Sequence, residues 1–449
     1  MNLETAKSFI LVVMIGISII LSYTLWNYQP SSSQTIGGEV VENELDVGGT
    51  EQSKRTLIKP SDIIFHTDEG DYGFKNKTEQ DRFFEKMQES VITDFAEYDS
   101  ETSEIERSSE YIEIIFPDEL PMEVLNALFT FGREDIEFPA WSLKRIFISY
   151  IHDSKSLQIE FVSDESNEHA AALITDADIY EEFWSTLNEL DENMLTEYLV
   201  INPDTNPVYF PAGKIELPIY SITPKQIKPS LFVNILFTNP SVVRETRSQT
   251  IGEVYFTDNR QMSIIQDGMR MEYVSHVAST TEETDRILTE MNVLDRAILS
   301  VNNHRGWTQD YRLESLSTDP NQVTFRMYYD GYPTFNRNKL ATIEQRWEAQ
   351  QNSVQLIEYN RPLHLFETTF VLRRDDNLPA GESILAYLEM NPDMSLENIQ
   401  DITIGYEMNY IREDQSNEFI EMSPSWYKKE NNNWQRIMIT DEAIPRGGN

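Results

Sequence analysis

The chain has 449 residues, no cysteine, and 36 Lys and Arg against 76 Asp and Glu, for a formal net charge of −40. Disulfides, thiolate catalysis, Cys-ligated zinc and a lipid-modified N-terminal Cys are excluded, so the fold must rest on ordinary apolar cores. Nucleic acid is excluded as a natural partner too, because phosphate binding needs clustered Lys and Arg, and so acidic a body is repelled by anionic lipid.

The first element is the apolar stretch KSFILVVMIGISIILSYTLWNYQP at residues 7–30. No ionised side chain lies between Phe9 and Trp26. At about 1.5 Å per residue that run reaches roughly 27 Å, close to the ~30 Å hydrocarbon core of a bilayer. It ends in Ser22, Tyr23, Leu25, Trp26 and Tyr28 without the small-residue pattern of a cleavage site, and Pro30 follows. The pattern predicts an uncleaved transmembrane signal anchor over 8–28, with Trp26 and Tyr28 as its membrane-interface anchors and 1–7 as a cytoplasmic tail. Lys7 precedes the span, the next basic residue is Lys54, and Glu39, Glu42, Glu44, Asp46 and Glu51 lie between. That asymmetry predicts a single-pass protein of the cell membrane, N-terminus cytoplasmic and bulk extracellular. Ser18 and Ser22 stand at small-xxx-small spacing and Gly16 adds a further small position, which makes these three the candidate interface with a partner's membrane helix.

Residues 29–57 are rich in Ser, Gly and acidic side chains and predict a flexible acidic stalk, with order beginning near Ile58. An N-terminal external domain follows over 58–195. In it, TEQDRFFEKMQESVI places Phe83, Phe84, Met87, Val91 and Ile92 on one helical face behind a Thr78/Asp81 capping box, and DELPMEVLNALFTF reads as a second helix entered at Asp118. A three-strand meander from Lys144 to Thr175 then leads into a helix bearing Ile179, Phe183 and Leu187. A Pro-rich passage with Pro207, Pro211, Pro218 and Pro224 predicts edge or irregular sheet at the start of a central external domain, 196–305. That domain closes on a long helix that starts at a Thr280/Glu283 capping box and carries Ile287, Met291, Leu294 and Ile298 on its buried face. The C-terminal external domain, 306–449, alternates as strands around the helix GESILAYLEM and ends in a hairpin about 431–433. The fold class expected is α+β: a single N-terminal transmembrane helix, then several extracytoplasmic domains of mainly antiparallel sheets packed with helices.

The search for chemistry is short. No two of the six histidines, His66, His152, His169, His276, His304 and His364, stand three to five residues apart, so no local zinc pair exists. No GxSxG elbow is present, and Gly213-Lys214 lacks the rest of a phosphate loop. HTDEGD and DADIYEE do not keep the alternating ligands of a calcium loop. The residues therefore nominate no catalytic group, cofactor or metal, and the chain is not read as an enzyme.

Three features together carry a resemblance: the span ending in Trp26, Tyr28, Gln29 and Pro30, the large Cys-free exterior, and the late segments ITIGYEMNY and SPSWYKK. NHRGWTQDYRL from Asn303 adds to it. On these the chain resembles the YycH family of Gram-positive regulatory proteins. The resemblance implies a non-enzymatic, membrane-anchored accessory regulator that restrains the sensor histidine kinase of the essential cell-wall two-component system. It implies action with a companion, YycI, through transmembrane-helix contacts, and a YycI-like fold for the C-terminal external domain. The readings it competes with are an anchored cell-wall hydrolase and a passive extracellular ligand-binding or assembly module.

Overall fold

Period-two alternation of apolar side chains dominates the chain after residue 60, and in the computed structural model of the protein it resolves into two large, mainly antiparallel sheets. The structure describes residues 45–439 except 100–109, 134, 164–167, 190–193, 249–251, 277–287, 351–352, 376–377, 392–393 and 413–417. Among the described residues no helix is long and apolar enough to cross a membrane. The span read at 8–28, with Gly16, Ser18, Ser22, Trp26 and Tyr28, lies outside them.

The first half contains α1 (Lys54–Leu57), β1 (Asp62–Thr67), β2 (Gly70–Phe74), α2 (Lys77–Glu89), β3 (Val91–Asp99), β4 (Tyr111–Pro121), α3 (Leu125–Leu128) and β5 (Thr130–Phe131). It continues with β6 (Ser142–Ile151), β7 (Ser156–Ser163), β8 (Glu168–Ile174), α4 (Ala177–Glu189), β9 (Leu195–Ile201) and β10 (Val208–Pro211). The strands form one sheet in the order β10-β9-β2-β1-β4-β6-β7-β8-β3-β5, in which β6, β7 and β8 are the expected meander. Helix α2 buries Phe83, Phe84 and Met87 as its spacing requires, but it ends at Glu89, and Val91 and Ile92, expected on the same face, begin β3. Its cap differs from the expected Thr78/Asp81 box: Asn76 accepts the Thr78 N–H at 2.9 Å, and Asp81 is spent elsewhere. The second expected helix is a correction as well. Strand β4 runs through Pro121, a single 3-10 turn (Met122–Val124) follows, and only α3 is α-helical. Asp118 is drawn away from any cap because its carboxylate accepts the Leu316 N–H at 2.9 Å.

The second half contains β11 (Leu217–Gln226), α5 (Pro229–Leu236), β12 (Arg244–Ser248), β13 (Gly252–Phe256), β14 (Arg260–Ile265), β15 (Arg270–Ser275), α6 (Glu290–Asn302) and β16 (Asp310–Thr318). There follow β17 (Asn321–Tyr329), β18 (Tyr332–Phe335), β19 (Thr342–Gln350), β20 (Ser353–Pro362), β21 (His364–Asp375), α7 (Gly381–Met390), β22 (Ile399–Arg412), β23 (Glu418–Glu430) and β24 (Asn433–Arg436). These strands make the second sheet, ordered β12-β13-β14-β15-β20-β19-β17-β18-β22-β23-β11-β21, with β16 on β17 and β24 on β23. The Pro-rich passage is edge and irregular sheet as expected: β10, ending at Pro211, closes one side of the first sheet, and β11, between β23 and β21, carries a register shift between Thr223 and Pro224 that accommodates the missing N–H. The closing hairpin turns at Asn431 and Asn432, both with positive φ, as a two-residue turn requires.

The two sheets share one continuous apolar core, and Leu45–Asn449 forms one compact unit. Polar contacts cross the seam between them. Arg312 on β16 holds Asp81 on α2 through two hydrogen bonds of 2.9 and 2.6 Å, and Tyr332 reaches the Lys75 carbonyl at 3.4 Å. At Gly381 a Cβ would sit 1.9 Å from the Pro211 carbonyl oxygen, so α7 starts hard against the end of β10.

Candidate functional site

The stretch read as the last part of the stalk is bonded into the body from Leu45 onward. Residues 45–53 form a strap along the turn that follows α6. The Val47 N–H donates to the His304 carbonyl (3.1 Å), the Gly49 N–H to Arg305 (3.0 Å) and the Thr50 N–H to Trp307 (3.0 Å). Side chains fasten both ends: Arg305 pairs with Asp46 at 2.8 Å, and Asn302 exchanges two hydrogen bonds with the Gln52 backbone at 2.8 and 2.9 Å. Ser53 then caps α1, whose Lys54 reaches Asp295 on α6 at 2.5 Å. Val47 is 4 % exposed, so the strap contributes to the core and does not merely lie on it.

Local sequence explains the fit. Gly48 has φ 90°, a left-handed conformation that costs other residues, and its N–H turns back to the Asp46 carboxylate at 2.7 Å. At Gly49 a Cβ would lie 2.4 Å from the Trp307 carbonyl oxygen and 2.6 Å from that of Arg305. The Gly-Gly pair that resembles a linker is therefore required for close approach. On the other side, Trp307 donates its indole N–H to Asn302 at 2.7 Å and packs its ring edgewise on Phe325.

Beneath the strap lies a buried cation. Arg361, at the end of β20, is 0 % exposed, and none of its hydrogen-bond partners among the described residues is a carboxylate. Its guanidinium is satisfied by neutral acceptors: the Gly306 carbonyl (2.7 Å), the Pro362 carbonyl (3.1 Å), the Tyr359 hydroxyl (3.0 Å) and His304 Nε2 (3.3 Å). Because Arg361 can only donate, His304 Nε2 presents a lone pair and the imidazole is neutral. Burial first, and the Arg361 charge second, hold the His304 pKa down to about 3. A side chain at Gly306 would collide with both groups, its Cβ lying 2.5 Å from His304 Nε2 and 2.7 Å from Arg361 Nη1. Asn302, His304, Arg305, Gly306 and Trp307 thus join the incoming chain to strand β20 through one rigid turn.

Other polar clusters have structural duties. On β1, His66 bridges Asp71 (2.7 Å) and the buried Glu113 (3.0 Å), and Glu113 also pairs with Arg145. Burial opposes the imidazolium, but the hydrogen bonds to Asp71 and Glu113 outweigh it, and the His66 pKa is raised above 6.5. A concavity of about 1300 Å³ is walled by Glu314, Glu344 and Glu407, each tied to a cation: Arg326, Lys339 and Arg436 respectively. Two carboxyls, the buried Asp62 and the half-buried Asp401, have raised pKa values, that of Asp62 pushed up to about 6 by burial. They border cavities of only about 20 and 30 Å³, room for one water molecule and not for a substrate. Among the described residues no group of His, Asp and Glu is arranged to hold a metal ion.

Comparison with known proteins decides what such a body is. A model of the YycH protein N-terminal domain matches residues 4–194, and one of the YycH protein C-terminal domain matches residues 205–443. The chain belongs to the YycH family. A curated relative, the two-component system WalR/WalK regulatory protein YycH of Bacillus subtilis strain 168, is 20 % identical over 473 aligned positions, spanning 100 % of this chain and 99 % of its own. The crystal structure of YycH from Bacillus subtilis has the same fold, with a TM-score of 0.66 and 16 % identity over 88 % of this chain and 99 % of that one. The YycH family is one of regulatory proteins and not of enzymes, and its fold here is mixed α+β with sheet predominating.

The expected interface residues Gly16, Ser18 and Ser22, and the anchors Trp26 and Tyr28, lie outside the described residues, and no geometry attaches to them. The strap and its socket were missed by reasoning on composition, because Gly48 and Gly49 read as linker. The signal was nonetheless present in NHRGW, which stands out as a run of hydrogen-bonding and small residues ahead of a strand.

Proposed function

We propose that this chain is a single-pass, membrane-anchored accessory regulator that restrains the sensor histidine kinase of a cell-wall two-component system, acting with YycI through contacts between transmembrane helices. The observation that carries the reading is the relation to a protein named as a WalR/WalK regulator over the whole length of both chains. The match to the family's N-terminal domain begins at residue 4, so the apolar segment falls inside the matched region. In this reading residues 8–28 cross the cell membrane with the N-terminus in the cytoplasm and the acidic body outside. Gly16, Ser18 and Ser22 face the kinase or YycI, and Trp26 and Tyr28 sit at headgroup level. The strap at 45–53 is bonded into the body, so the expected stalk loses its last part, residues 45–57, to the body. A differential affinity of about 1.4 kcal/mol for the two signalling states of the kinase shifts their ratio tenfold.

The test is co-purification of the full chain with the kinase from membranes, comparing the native anchor with an unrelated one, alongside Gly16→Leu, Ser18→Leu and Ser22→Leu. Loss of the kinase on exchanging the anchor, with altered kinase-dependent reporter output in the variants, is the expected result. Retention of both with a foreign anchor overturns the membrane-helix reading.

A further inference from the structure

Among the described residues the outer edge of β21 is open, and its side chains are wrong for water. Strand β21 terminates the second sheet and pairs only with β11 among the described residues. Over Glu367 to Arg373 every residue is exposed, including three consecutive large apolar side chains: Phe370 at 58 %, Val371 at 62 % and Leu372 at 54 %. An exposed apolar edge strand is a template for pairing with another chain, and soluble proteins usually block it with charge, proline or a covering segment. Two register shifts against β11, at Glu367 and at Leu372, bracket an unbroken run of pairs from Thr368 to Val371. Neither proline nor Lys occurs in ETTFVLR.

We infer that β21 pairs antiparallel with β21 of a second copy of this chain, about a two-fold axis at Phe370. The charges select this occupant. Antiparallel self-pairing places residue i opposite residue 740 − i when the axis passes through Phe370, which sets Glu367 of each copy alongside Arg373 of the other, twice by symmetry. Neighbouring axes lose the match: centred on Thr369, Glu367 faces Val371, and centred on Val371, Arg373 faces Thr369. The long Glu and Arg side chains span the offsets that the flanking bulges introduce. The rest of the molecule argues for this site as well, since a body of net charge −40 repels its twin almost everywhere. The run from Glu367 to Arg373, with one charge of each sign, is a place where two copies meet without that penalty. One strand edge buries less than the roughly 1,600 Å² of a standard interface, so the pair is weak and reversible.

The absence of native cysteine allows a direct test on the full-length chain in detergent. Phe370→Cys should form a disulfide-linked dimer under mild oxidation, whereas Leu299→Cys, equally exposed on α6, should not. In the Phe370→Cys background, Glu367→Arg or Arg373→Glu alone sets like charges opposite and should slow cross-linking roughly tenfold. The two together restore the pairing and should recover most of the rate. These positions are exposed, and unchanged circular dichroism verifies that the variants fold. Cross-linking at 370 reports strand contact whether or not the anchors associate. Absence of the dimer overturns the inference. So does a dimer indifferent to either charge reversal, and so does loss in the single variants without recovery in the double, which would mark β21 as the dock of a different protein.

Discussion

At the scale of single residues, the histidines divide by what their surroundings do to the proton. His304 faces a buried guanidinium and is kept neutral, whereas His66 sits between two carboxylates that favour its charged form. The consequence for stability has a definite sign. A histidine whose folded pKa lies above its unfolded value of 6.5 stabilises the fold fully below that value, and the contribution is lost as pH rises through the folded value. His66→Gln should therefore lower the urea midpoint most at about pH 6 and progressively less toward about pH 9. Glu113, held below its usual range despite burial by the hydrogen bond from His66 and the charge of Arg145, contributes on the other side: its share is lost only as pH falls through its depressed value. A wild-type-minus-variant difference that stays flat across this pH range would remove the charge from His66. The stacked Tyr111 ring, 4.2 Å away, shields the pair and makes its contribution resistant to salt.

At the scale of elements, the strap is where a short segment does more than its composition suggests. Its backbone hydrogen bonds depend on two carbonyls approaching Gly49 more closely than any side chain allows. Gly49→Ala should cost about 1–3 kcal/mol through the forced backbone shift. The loss should be local, with residues 45–53 becoming open to protease while the sheets remain folded. Limited proteolysis beside urea unfolding measures this, and equal resistance of variant and wild type would show that the strap has slack. The same segment shows why the sequence was only partly legible. Helices α2, α4 and α7 could be read because Phe83, Phe84 and Met87, or Ile179 and Phe183, recur at helical spacing, which is a local property. The β6–β7–β8 meander and the Asn431-Asn432 hairpin were legible for the same reason. What could not be read depends on partners distant in sequence. Gly49 is a linker residue until Trp307 is set against it, and Asp118 is a helix cap until Leu316 takes it. The candidate site therefore stayed hidden, apart from the unusual NHRGW run.

At the scale of the whole molecule, the question is what makes two sheets unfold as one body. The shared apolar core supplies most of the cohesion, and the Arg312–Asp81 pair fixes how the halves meet. Arg312 is 4 % exposed and Asp81 9 %, both oxygens of the carboxylate are engaged, and the guanidinium lies 4.3 Å from the Tyr328 ring. Taking such a pair from water costs nearly what their attraction returns, so its role is orientation more than net stability. Removing one partner is a different matter. Arg312→Met leaves Asp81 buried with only Lys59, 3.5 Å away, to answer its charge, and should cost about 3 kcal/mol. Asp310, which also contacts Arg312, is half exposed and is rehydrated at little cost. If the loss comes from the stranded carboxylate, adding Asp81→Leu should return most of it, giving a coupling of about 2 kcal/mol in a double-mutant cycle. Urea unfolding followed by tryptophan fluorescence and by circular dichroism reads both quantities. The two signals should coincide in the wild type and in the double variant, because the common core remains, and should separate in Arg312→Met if the first sheet is released before the second. Strictly additive losses with coincident transitions in every variant would mean that the seam is held by apolar packing alone.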